Sequence, residues 1–233
     1  MIKAILFDLD GTLLPLDQEV FTKTYIGLFV KKMVSHGYDA QKFLSAMVKS
    51  LTALASNDGS VRNEELIRNV FISELGQRIA EDQRVIDEFY ARDFEGVRAV
   101  CGKNPDVPEL ISSLKDKYRL VLATMPAFPE TATRARICWA GLDYNDFELV
   151  TTYENSYTCK PNPAYYLEIA KKLGVEPEEC LMVGNDTLDD MAAEQVGMNV
   201  FLLTDNLLNR EDKDITRYDR GGFDELEDYI KTI

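Results

Sequence analysis

Histidine occurs once in 233 residues, at His36, so no multi-histidine metal site can assemble within one chain. A histidine-based catalytic triad would have to use that residue alone. His36 sits in KKMVSHGYDA, which reads as a helix end and turn, so ordinary surface use is expected. Cysteine is sparse: Cys101, Cys138, Cys159 and Cys180 form no CxxC pair, which excludes a zinc ribbon and favours reduced thiols. Basic residues are outnumbered 26 to 40 by acidic ones, giving a net charge of -14. That deficit argues against a broad nucleic-acid-binding surface. No run reaches the roughly 18 apolar residues of a membrane helix, and Met1 leads into an apolar strand without the flanks of a secretory signal. A soluble, cytoplasmic protein with no membrane partner is the expectation. No heptad marks an oligomer interface.

Hydrophobic residues make up 45% of the chain, with 11 Phe and 11 Tyr, enough to build a large core and to exclude wholesale disorder. The opening KAILFDLDGTLL holds a compact apolar strand, Ala4 to Phe7, that empties directly into Asp8, Asp10 and Gly11. Parallel-sheet sites lie beyond the carboxyl ends of strands, so both aspartates are well placed. From Leu16 to Phe94 the periodicity becomes helical: Val20, Tyr25, Leu28, Phe29 and Met33 recur at helical spacing, then Phe43, Met47, Leu51 and Leu54. Further helices are expected over 62–75 and 81–90. After Pro105 strands alternate with helices. Strands are expected at 119–123, 147–150, 181–183 and 199–203, and helices at 107–117, 129–140, 163–173, 189–196 and 223–230. This alternation predicts an α/β fold with a mostly parallel three-layer sheet, split by a helical insert.

Carboxylates follow two separate apolar strands, Asp8 and Asp10 early and Asp186 and Asp190 late. If those strands are neighbours, hard oxygen ligands gather at one sheet edge, an arrangement suited to Mg2+. The DxDxDG pattern of a calcium loop is missing.

The chain resembles the haloacid-dehalogenase-like (HAD) hydrolase superfamily, most of whose members hydrolyse phosphate esters through an aspartyl-phosphate. The likeness is carried by FDLDGTLL with Asp8, Asp10 and Thr12, LVLATMP with Thr124, TCKPNP with Lys160, and VGNDTLDD with Asp186 and Asp190. It implies a Rossmann-like core of residues 1–15 and 95–233 with a mostly helical C1 cap at 16–94, hinged near 14–17 and 94–102. It further implies that Asp8 is the nucleophile, Asp10 the acid and base, Thr124 a phosphate donor and Lys160 a counter-charge. Magnesium would be held by Asp8, the Asp10 carbonyl and Asp186, with Asp190 direct or through water. Where many relatives carry a small polar residue after the threonine, this chain has Met125-Pro126, which with Phe128 makes an apolar pocket rim.

The resemblance implies a magnesium-dependent phosphatase acting on a small organic phosphate monoester. A phosphosugar mutase, or another phosphoryl transferase, shares the same core signature. A catalytically inactive small-molecule-binding protein on this scaffold would be expected to have lost one of Asp8, Asp10, Lys160 or Asp186, and all four are present. Carbon–halogen cleavage fits poorly, because such relatives generally lack a carboxylate at the position of Asp10.

Overall fold

The computed structural model describes residues 1–233. Six strands form one sheet: β1 (Ala4–Phe7), β2 (Arg119–Leu122), β3 (Leu149–Val150), β4 (Cys180–Gly184), β5 (Asn199–Leu203) and β6 (Asp219–Gly221). Their order is β3-β2-β1-β4-β5-β6 and every pairing is parallel. β1 pairs on one side with β2, Ala4 opposite Arg119, and on the other with β4, Ala4 opposite Cys180. The first strand is therefore central, and the loops after β2, β1 and β4 emerge side by side.

The strands are apolar at nearly every position because both faces of the sheet are covered. Their two-residue period divides the core. Ile5, Phe7, Leu122, Val183 and Phe201 point to one face and join a 37-residue buried cluster. Ala4, Leu6, Val121, Met182 and Leu202 point to the other and join an 18-residue cluster. Helices α6 (Asp106–Leu114), α7 (Glu130–Trp139) and α9 (Phe223–Ile230) pack on the first face. Helix α8 (Pro163–Leu173) packs on the second, with Tyr165, Tyr166 and Ile169 turned inward. The ends of α8 are written locally: Asn162 caps it by accepting from the Ala164 amide, Pro163 opens it, and Gly174 closes it in the left-handed conformation.

Between β1 and β2 the chain forms α1 (Gln18–Ser35), α2 (Ala40–Ala55), α3 (Asn63–Leu75), α4 (Arg78–Glu81) and α5 (Gln83–Ala91). Asp17 and Asp39 cap the first two, each accepting a backbone N–H three residues on. Phe29, Phe43 and Phe89 meet inside this bundle, with Phe29 and Phe89 stacked at 4.3 Å between ring centroids, while Phe21 is buried against Phe128. The bundle is continuous with the sheet core, because these rings belong to the same buried cluster as Ile5 and Phe7.

Several local expectations differ from the structure. Val20 and Leu51 are 46% and 54% exposed, so the inward stripe of α1 runs through Phe21 instead of Val20, and that of α2 keeps Phe43, Met47 and Leu54 without Leu51. The helix expected over 189–196 is a 3-10 segment, Met191–Val196, shortened by the turn that seats Asp186 and Asp190. β6 escapes a periodicity reading because Asp-Arg-Gly has no apolar alternation; it is an edge strand, paired only to β5. No helix is long and apolar enough to cross a membrane.

Candidate active site

The site begins where β1 stops. Asp8 is the first residue beyond Phe7, and its amide donates to the Val183 carbonyl at 2.9 Å, holding the chain against β4 as it leaves the sheet. Gly11 then turns the loop at φ +87°, a conformation that favours glycine. A Cβ there would collide with the Asn185 side chain, so the loops after β1 and β4 touch through a glycine. Thr12 donates to Asn185 Oδ1 at 3.1 Å and links the same two loops.

Lys160 lies in the loop before α8 and is nearly fully buried. Its ammonium donates to Asp8 Oδ1 at 2.8 Å and to Asp190 Oδ1 at 2.6 Å. Burial alone would lower the Lys160 pKa, but Asp190 and Asp8 together outweigh it and hold the ammonium charged, well above its ordinary value. Asp190 spends its second oxygen on the Asp186 amide at 2.9 Å. Burial raises its carboxyl, opposed by Lys160; with both oxygens accepting, the geometry is that of an ionised carboxylate. Gly184 permits this packing, since a Cβ there would overlap the Asp190 carboxyl.

Asp10 has a different environment. Oδ2 pairs with the guanidinium of Arg136, while Oδ1 is buried without a protein partner. Burial pushes the Asp10 carboxyl above its ordinary range; Arg136 pulls it down by less, and the nearby Asp8 charge adds to the rise. Arg136 comes from the inner face of α7 and is completely buried. It also donates to Thr133 Oγ1 at 3.2 Å and lies over the Phe128 ring at 4.3 Å.

Thr124 follows β2. Its hydroxyl is buried without a partner, and its carbonyl accepts from Thr151 Oγ1 at 2.8 Å and Tyr165 Oη at 2.9 Å. The backbone is thus fixed from behind while the hydroxyl stays uncommitted. Thr124 Oγ1 and Asp10 Oδ1 are the two unpartnered polar atoms among the expected site residues.

The structure joins Asp8, Lys160 and Asp190 by direct contact, and Asp190 to Asp186 through its amide. No three acidic side chains converge as a ready-made metal set. Asp8 and Asp190 share the Lys160 ammonium, while Asp10 pairs with Arg136 and Asp186 with Arg210. Asp186 Oδ1 also accepts the amides of Leu188 and Asp189, at 2.8 and 3.2 Å. The donor chemistry nonetheless suits a hard cation. Asp8 and Asp186 supply carboxylate oxygens, the Asp10 carbonyl accepts no protein hydrogen bond, and the one cation on Asp186 is the half-exposed Arg210. Asp190, with both oxygens engaged, serves to position Lys160 and the Asp186 backbone.

The sequence reading passed over Arg136 and Arg210. A signal existed for Arg136, which shares the buried face of α7 with Ala132, Thr133 and Ile137 at helical spacing. Arg210 stands in an irregular segment with no periodicity to mark it.

The comparisons with known proteins agree with this architecture. A family model described as haloacid dehalogenase-like hydrolase matches residues 2–197. The protein YhcW of Bacillus subtilis is 26% identical over 205 residues, covering 87% of this chain and 84% of the relative. The phosphoglycolate phosphatase of Nitrosospira multiformis is 26% identical over 203 residues, covering 86% and 82%. Among solved structures, a 2-haloacid dehalogenase from Pseudomonas syringae pv. Tomato superposes with a TM-score of 0.66 at 21% identity, covering 100% of this chain and 99% of its own. That likeness extends to the fold. With its parallel sheet, its acidic loops after β1 and β4, and a family match across most of its length, the chain belongs to the haloacid dehalogenase-like hydrolases.

Proposed function

We propose that the protein is a magnesium-dependent phosphatase that hydrolyses a small organic phosphate monoester through an aspartyl-phosphate on Asp8. The observation that carries this reading is the contrast between two carboxyls two residues apart. Asp8 faces the Lys160 ammonium, whereas Asp10 is raised by burial and keeps one oxygen free of protein partners. Paired carboxyls in opposed environments divide naturally into nucleophile and acid.

In the first step an Asp8 oxygen attacks phosphorus and the bond from phosphorus to the ester oxygen breaks. Asp10 gives its proton to that oxygen as the alcohol leaves. In the second step water attacks the phosphorus, Asp10 takes a proton from it, and the bond to Asp8 breaks. Lys160 offsets the repulsion between the carboxylate and the anionic ester, and Thr124 Oγ1 donates to a phosphoryl oxygen. Asp8, the Asp10 carbonyl and Asp186 would hold magnesium, which would supply further neutralisation of charge on the transferring group. Residues 16–94 act as a cap over a core formed by 1–15 and 95–233, limiting water access during chemistry.

Magnesium-stimulated release of inorganic phosphate from a panel of monoesters tests this reading. Asp8→Asn is expected to abolish it, and Asp10→Asn to reduce it about 10²- to 10⁴-fold. A folded protein with no turnover on the panel would overturn the proposal. A rearranged sugar phosphate formed without net phosphate release would replace it with a mutase.

A further inference from the structure

Asp10 opens onto a chamber of about 540 Å³ between the helical insert and the loops after β2 and β3, a volume suited to an organic ligand. Sixteen of its 27 lining residues are hydrophobic, so its character is decided by packing rather than by hydrogen bonding. Its walls come from α1, α2, α3 and α5 and from the apolar segment after Thr124, with Phe21, Tyr25, Met47, Phe71 and Phe128 among them. Val48 and Leu51 line it as well and are each more than half exposed, which puts them at its lip. Of Asp8, Asp10, Asp186 and Asp190, only Asp10 reaches this chamber.

The charges on its walls are one-sided. Asp10, Glu64, Asp87 and Glu154 line it, against Arg68 as the single basic residue. A polar pair is present in Tyr25 and Tyr90, whose hydroxyls are 2.8 Å apart. Burial raises the pKa of both, Tyr25 to about 12, so the pair stays neutral.

Resting on the phosphatase reading above, in which Asp10 protonates the leaving oxygen, the group attached to that oxygen must extend on the Asp10 side. We infer that the substrate is a phosphate monoester of an alcohol bearing a bulky, uncharged, apolar group, aromatic or branched aliphatic, which fills this chamber. The same walls disfavour a second anion on the leaving group. A carboxylate or second phosphate there would meet Glu64, Asp87 and Glu154 against one arginine, with apolar surface between them. This separates the chain from the phosphoglycolate phosphatase to which it is similar.

The test compares 1-naphthyl phosphate, phosphoglycolate and acetyl phosphate, the last being too small to use the chamber. We expect kcat/KM for the naphthyl ester to exceed that for phosphoglycolate by at least roughly tenfold. Ile67→Trp, which fills the chamber from α3, should reduce naphthyl ester turnover roughly tenfold or more and leave acetyl phosphate turnover unchanged. Leu51→Glu, at the exposed lip and therefore harmless to folding, should act in the same direction. Equal or better turnover of phosphoglycolate, or wild-type selectivity in both variants, would overturn the inference. Calorimetric titration with 1-naphthylphosphonate separates the two readings. Binding that Ile67→Trp abolishes, in a protein that releases phosphate from none of the three compounds, would uphold the chamber and sink the phosphatase; no binding would sink the chamber.

Discussion

The guanidinium of Arg136, completely buried on α7, pairs with the carboxyl of Asp10, 126 positions away in the chain and two residues beyond Asp8. Burial raises the Asp10 pKa and Arg136 opposes the rise. The balance between them governs how long Asp10 holds a proton as pH increases.

Replacing that cation shows the sign. A positive charge stabilises a carboxylate, so Arg136→Met moves the Asp10 pKa further up. An acid that must be protonated then stays competent to higher pH, and the alkaline limb of the kcat/KM profile should shift upward. The variant should also lose stability, by at most about 3–5 kcal/mol, because one partner of a buried pair is removed and the other can protonate. A pH–rate profile alongside thermal unfolding checks both. An unmoved alkaline limb would dissociate Arg136 from the proton transfer.

Arg210 donates to Asp186 and lies 3.6 Å from Asp189, although its own side chain is half exposed. It therefore competes with any cation for the Asp186 carboxylate. Arg210→Ala should tighten magnesium binding roughly two- to fivefold, the range expected of a solvent-screened pair. Calorimetric magnesium titration reads this directly, without turnover. Weaker binding in the variant would contradict the competition.

Gly184 has no room for a methyl group, since a Cβ would overlap the Asp190 carboxyl. Gly184→Ala should cost about 1–3 kcal/mol through overpacking. Because Asp190 holds Lys160, phosphate release should fall further than the loss of folded protein explains. Activity normalised to the folded fraction makes the comparison.

Asn63 begins α3 and is fully buried. Its amide nitrogen donates to the carbonyls of Pro126 and Thr158 at 3.2 and 3.1 Å, and its oxygen accepts from Asn57 at 2.9 Å. These bonds tie the helical insert to the loops after β2 and before α8. Asn63→Ala should destabilise the protein by about 1–3 kcal/mol. Asn63→Asp should cost more, because it sets a carboxylate oxygen against two carbonyls. Denaturant midpoints of the two variants give the order.

Much of the architecture was legible from periodicity. β1, α8, β5 and α9 have the expected extents, because buried strands read as short apolar runs and α8 carries its own caps. β6 was not legible, since an edge strand needs no apolar alternation. The direction of Val20 was hidden as well: it is one position from Phe21, and only the bundle decides which of the two faces inward.

By itself the sequence determined that Asp8, Asp10, Thr124 and Asp186 follow apolar strands, because buried segments must end before charged ones begin. It also determined the cap-bearing helices and the alternation that requires a parallel sheet. Only the tertiary structure decided that Lys160 meets both Asp8 and Asp190, that Arg136 neutralises Asp10, and that Arg210 covers Asp186. Local propensity acts over a few residues, whereas each of these cations is brought to its carboxylate by the packing of a separate element. The pairing of these carboxylates with three different cations follows from that packing. A buried charge demands a counter-charge, and the fold chooses which residue provides it.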